Sequence, residues 1–191
     1  MKRLWAFALF LAVTLGWSEI NDGRLQLQLL PGQVLKLELS SGDYRIEPGV
    51  GDKLIVISKS HPQQQKPHFG IDTNSKEASV RVKAPKNYAA VIQVPRNSSL
   101  KVRLNGGRLS VAGIEGDKDI ESNAGDLSID VGHPEKYSRV DASVDLGEID
   151  APPFQVAQNG VERSFSRRGP GSYHLHAHVG TGEIRLYSGE I

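Results

Sequence analysis

The chain has no cysteine among its 191 residues, so no disulfide staples the fold, no thiol can act as a nucleophile and no lipid anchor can be built on cysteine. Tryptophan is nearly absent as well. Trp5 and Trp17 both fall in the first 18 residues, and the 173 residues that follow have no indole to stack on a sugar ring, which disfavours a sugar-binding platform. Nor is there an excess of one charge. Beyond residue 18, 21 Lys and Arg stand against 22 Asp and Glu, a net charge of −1, whereas a nucleic-acid binder is usually far more basic. Catalytic signatures are missing too: the chain holds no GxSxG elbow, no HExxH and no GxxxxGK[ST] phosphate loop.

No apolar run is long enough to span a bilayer. The N-terminal stretch Leu4 to Gly16 rises about 1.5 Å per residue and reaches only about 20 Å, short of a hydrocarbon core of about 30 Å. Lys2 and Arg3 precede it, and the small residues Gly16 and Ser18 follow it. That is the layout of a cleavable secretory signal over residues 1–18. The expectation is an exported protein, periplasmic, at the cell surface or secreted, with residues 19–191 as one domain and no transmembrane segment after cleavage.

What the sequence does contain is a repeat. Five segments align without gaps on Gly42, Gly107, Gly125, Gly147 and Gly182: LELSSGDYRI, VRLNGGRLSV, IESNAGDLSI, ASVDLGEIDA and AHVGTGEIRL. Five and three residues before the glycine, nine of ten side chains are apolar, and two and four residues after it all ten are apolar or aromatic. Period two on both sides of a glycine predicts half-buried strands joined by a tight turn or arc, with the glycine at positive φ. The fold class expected is all-β, a single-domain β-solenoid or β-roll of stacked strand-turn-strand units, with an antiparallel β-sandwich as the alternative. Further strands are expected at Lys53–Ser58, Ala78–Lys83 and Ala89–Val94. HPQQQKPH at 61–68 reads as an exposed loop and 152–171 as an inserted surface loop or hairpin. Because the chain stops five residues after Leu186, the last strand is expected at an open edge, covered by the 152–171 insertion or paired with another subunit as a homo-oligomer.

At SSGDYRIEPG, VIQVPRNSSLKVRLNGGRLSVAGIEG and the successive turns AGDLSI, LGEIDA and TGEIRL, the chain resembles exported bacterial repeat proteins of adhesin type. Their domain is called a toast-rack β-solenoid, and the likeness covers about residues 30 to 188. Arg108 departs from the usual acidic residue after the glycine, and LGE and TGE depart from the Ser-Gly-Asp form. The resemblance implies surface or envelope interaction and carries over no reaction, cofactor or catalytic residue.

Three constellations are candidates for chemistry. His174, His176 and His178 in YHLHAHVG alternate along a strand, so their imidazoles share a face while Leu175, Ala177 and Val179 face the core. Neutral imidazoles suit zinc or copper, although a third ligand from one strand lies about 13 Å from the first, so the competing reading is a solvated face. Asp43, Asp126, Glu148 and Glu183 follow the repeat glycines, with Arg108 interrupting them. Such a row could attract a cation or a basic partner, or simply solvate the turns. Arg163, Arg167 and Arg168 in the insertion could meet an anionic polymer or headgroup, or nothing selective. The reading reached is a non-enzymatic envelope or secreted binding and scaffolding module, its partner an envelope protein or glycan rather than nucleic acid. The alternatives are a carbohydrate-active enzyme on a β-solenoid and a periplasmic metal-binding protein using the histidine strand.

Overall fold

The computed structural model describes residues 18–21, 23–59 and 66–189. The leader expected over residues 1–18 therefore lies outside the described residues except for Ser18, as does most of the 61–68 loop. Fourteen strands form one mixed sheet. They are β1 (Ser18–Asn21), β2 (Arg24–Gln28), β3 (Val34–Leu39), β4 (Gly42–Pro48), β5 (Lys53–Ser58), β6 (His68–Thr73), β7 (Glu77–Lys83) and β8 (Ala89–Val94). Then come β9 (Leu100–Leu104), β10 (Gly107–Val111), β11 (Lys118–Asp130), β12 (Tyr137–Ala151), β13 (Val156–Arg168) and β14 (Tyr173–Tyr187). Only two three-residue 3-10 turns interrupt this pattern among the described residues, and no helix there is long and apolar enough to cross a membrane.

The alternation read from the sequence is what packs the core. All twenty positions two and four residues after, and three and five residues before, the five aligned glycines are at most 3% exposed. The one polar member, Ser122, is satisfied by donating its hydroxyl to the Ala124 carbonyl at 3.0 Å. Each unit is two arms meeting at a bend. In β11, β12 and β14 the strand runs straight through its glycine, so the connection is an arc; β3–β4 and β9–β10 break for two residues there. The units stack in parallel and in register, in the spatial order β7/β8, β3/β4, β9/β10, β11, β14, β12. Parallel pairing through the middle rules out the antiparallel sandwich considered from the sequence. Antiparallel pairs occur only at the ends: β13 on β12, β6 on β7, and β5, β2 and β1 beyond β8.

The bends line up as a glycine column, Gly42–Gly107–Gly125–Gly182–Gly147, continued by Gly160 of β13. Gly125 shows why glycine is required. Its φ is +108°, and a Cβ built there would fall inside the van der Waals envelope of the Gly107 carbonyl oxygen on the next unit. Gly42 is the exception among the five, since it lies outside the positive-φ region; its hydrogen atoms face the Tyr88 carbonyl instead. In the β7–β8 unit a longer connection replaces the glycine, and Asn87 takes the left-handed conformation at φ 58°.

Chain order and spatial order differ at the C-terminal end. β14 inserts between β11 and β12, so both of its edges are paired. The open C-terminal edge, and the homo-oligomer built on it, are therefore excluded for this strand. Of the two readings of the 152–171 insertion, the hairpin is the one found: after a 3-10 turn at Pro152–Phe154, β13 folds back on β12. Both β14 and β12 have covered neighbours on each side, and both are buried alike: Leu175, Ala177, Val179, Ile184 and Leu186 of β14, and Val140, Ala142, Val144, Ile149 and Ala151 of β12, are at most 2% exposed. β13 is mostly exposed and suits an end. Phe154 and Phe165, with ring centroids 5.9 Å apart, close the core beneath it.

Candidate functional site

The outward side chains of the first arm form rows that cross the strands. One row runs Lys36, Lys101, Asp119, His176, Asp141, Ser166; the next runs Arg81, Glu38, Arg103, Glu121, His178, Ser143, Ser164. Opposite charges alternate within the second row. Arg81 reaches Glu38 at 2.6 Å, and with Lys36 it holds the Glu38 carboxyl below the usual range. Arg103 spans two carboxylates, Asp119 at 3.2 Å and Glu121 at 3.0 Å. Asp141 is pushed up by burial, but the Ser166 hydroxyl and Arg139, 2.6 Å away, outweigh that and hold it low.

The three histidines share this face, as strand alternation requires, but they turn to different partners. His174 lies between the Ser138 hydroxyl at 3.2 Å and Asp117 at 3.7 Å, and its backbone N–H donates to Asp117 at 2.8 Å. The Nδ1 of His178 is hydrogen-bonded to Ser143 at 2.9 Å, and its Nε2 lies 3.8 Å from Asp145. Only His176 turns toward β11. Its Nε2 is 4.0 Å from Glu121, and one ligand atom each from Asp119, Glu121 and His176 lie within 4.8 Å of one another.

Residue type alone does not distinguish Asp119 and Glu121, yet the sequence carries a signal for them. They stand six and four residues before Gly125, the places of His176 and His178 before Gly182, so the glycine alignment itself puts them at the levels of these two histidines. The same alignment exposes Lys118. Seven residues before each glycine come Leu35, Leu100, Val140 and Leu175, with Lys118 in that apolar column at 1% exposure. Its ammonium donates to the Tyr137 hydroxyl at 2.7 Å and the Gly116 carbonyl at 3.2 Å. Burial lowers it to about 8, with Asp130, Asp117 and Glu115 pulling it back only in part. The same burial raises the Tyr137 phenol.

The other two candidates are distributed differently. The acidic row exists in register as Asp43, Arg108, Asp126, Glu183, Glu148, and Arg108 lies inside it as a bridge: it pairs with Asp43 at 2.8 Å and acts on Asp126 through space. Glu183 is paired with Arg185 at 3.0 Å. In β13, Arg163 and Arg167 alternate onto one face and Arg168 onto the other. Arg163 donates to the Asn159 carbonyl and Arg167 to the Phe154 carbonyl, both at 3.1 Å. Arg167 and Arg168 border a cavity of about 290 Å³ with Phe154, Pro153 and Tyr137, and Arg163 is not part of it.

These features define a class, an all-β single domain with a continuous core and outward faces of paired charge. A solved structure from Clostridium sporogenes, described as a "putative cell adhesion protein", shares the fold with a TM-score of 0.54. The likeness covers 87% of this chain and 99% of that one at 14% identity, so it speaks for the fold alone. No protein-family model matches the chain, and no curated sequence does.

Proposed function

We propose that the chain is an exported, non-enzymatic binding and scaffolding module of adhesin type, recognising an envelope protein or glycan through the outward face of its first arm. The observation that carries this reading is the ladder Arg81–Glu38–Arg103–Glu121, whose backbone spacing is fixed by in-register parallel pairing. A face ordered before contact loses little conformational entropy on binding, and its alternating charge at a strand spacing of about 4.8 Å suits a repetitive polar ligand. The leader-like N-terminus supports export, and the adhesion description of the structural neighbour accords with the role.

The test expresses the full chain with its native N-terminus, sequences the recovered protein, and measures its binding to purified peptidoglycan, lipopolysaccharide, teichoic acid and extracellular-matrix proteins. Cleavage near Ser18 is expected, together with saturable binding that falls with salt and is lost in Arg81→Glu/Arg103→Glu. An uncleaved cytosolic product, or binding indifferent to that double substitution, rejects the reading. Release of new reducing ends from any of the glycans would replace it with the enzyme.

A further inference from the structure

The geometry points to a divalent-cation site of the zinc type on the outward face of the first arm, formed by His176 of β14 with Asp119 and Glu121 of β11. This does not depend on the adhesin reading. Parallel register places Asp119 directly opposite His176, and Glu121 one pleat further along on the same side. Neither strand can slide, because both are locked by the glycine column. All three side chains are accessible, at 36%, 40% and 47% exposure for Asp119, Glu121 and His176.

The ligand atoms already lie within 4.8 Å of one another. A tetrahedral ion with bonds of about 2.0–2.2 Å needs them about 3.4 Å apart, a closure of up to about 1.4 Å that exposed side chains make by small rotations. One imidazole nitrogen with two carboxylates is a borderline donor set. It favours zinc over calcium and magnesium, which prefer oxygen ligands throughout. Water completes the fourth position.

His174 and His178 are excluded from the site by their own partners. Each turns its ring to a serine hydroxyl on β12 and to a different carboxylate. Arg103 has the opposite role to a ligand. It contacts both carboxylates of the site, so the ion must displace a cation that neutralises them already.

Calorimetric titration of ZnCl2 into the untagged full chain tests this, with each variant first shown to keep its urea midpoint. One zinc per chain is expected. His176→Ala and Glu121→Gln each weaken binding at least about tenfold, since even outer-shell losses weaken metal sites by about 10- to 100-fold. His174→Ala leaves affinity within about twofold, and Arg103→Gln tightens it by about three- to tenfold, the worth of one nearby like charge in water. The proposal is overturned by the absence of zinc heat, by His174→Ala weakening binding as much as His176→Ala, by an unaffected Glu121→Gln variant, or by calcium binding as tightly as zinc.

Discussion

Replacing Lys118 by Met should change how stability depends on pH more than it changes stability itself. Lys118 sits at 1% exposure in a column of Leu and Val, and burial lowers it from an ordinary 10.5 to about 8. A lysine depressed to that extent costs the fold about 3 kcal/mol whenever it is protonated in both states. Below pH 8 this cost is present in full. Between pH 8 and 10.5 the folded chain has released a proton that the unfolded chain still holds, so stability rises by about the same 3 kcal/mol. Tyrosines limit the rise. Burial raises Tyr44 to about 12 and pushes Tyr137 up as well, so above pH 10 the unfolded phenols ionise first and stability falls. The wild-type chain should therefore be most stable near pH 9 to 10.

Met removes the buried charge but leaves the Tyr137 hydroxyl without the partner now 2.7 Å away, a loss of about 1–3 kcal/mol. At pH 7 the two effects nearly offset, and Lys118→Met should be equal to wild type or up to about 2 kcal/mol more stable. At pH 10, where wild type holds a neutral lysine, the variant should be less stable by about 1–3 kcal/mol. Urea unfolding of both proteins at pH 7, 8, 9 and 10 measures the difference directly. Parallel stability curves would refute the reasoning, because they would mean that Lys118 is hydrated enough to titrate as it does in the unfolded chain.

Gly125→Ala should destabilise the fold by more than about 3 kcal/mol, because φ +108° and the Gly107 carbonyl both oppose a Cβ; Gly32→Ala, at φ +77° with open space around it, should cost about 1 kcal/mol, and thermal midpoints will rank them. Arg108→Glu should turn the bridged row into five consecutive carboxylates. Its melting point should drop at low ionic strength and recover in about 0.5 M salt, where screening reaches within a few ångströms; a salt-independent loss would contradict the electrostatic account. Replacing residues 152–171 by a short linker should uncover the long edge of β12 and give concentration-dependent association by light scattering, while a stable monomer would show that β13 is not needed to block that edge.

Much of the architecture was legible in the five glycine-centred segments. A period of two admits only strands, and a glycine placed alike in five units fixes which residues share a level; hence all twenty expected positions are buried and the glycines form one column. Lys53–Ser58 and Ala89–Val94 are strands with the expected bounds. Gly160 does not align because β13 runs antiparallel and is mostly exposed, with Arg163 and Gln158 opposite the buried Val144 and Ile149. The candidate site was legible in half. Alternation alone puts the three histidines on one face, and the glycine alignment puts Asp119 and Glu121 at the same levels.

The sequence alone could not say which unit lies beside which. A repeat with interchangeable inward faces can stack in several orders with the same apolar contacts, and the choice falls to the whole assembly, in which the mostly exposed hairpin strand β13 covers the end. That choice alone set β14 between β11 and β12. It closed the edge expected at the C-terminus and gave His176 two carboxylate neighbours, Asp119 and Glu121, that stand 57 and 55 residues earlier in the chain.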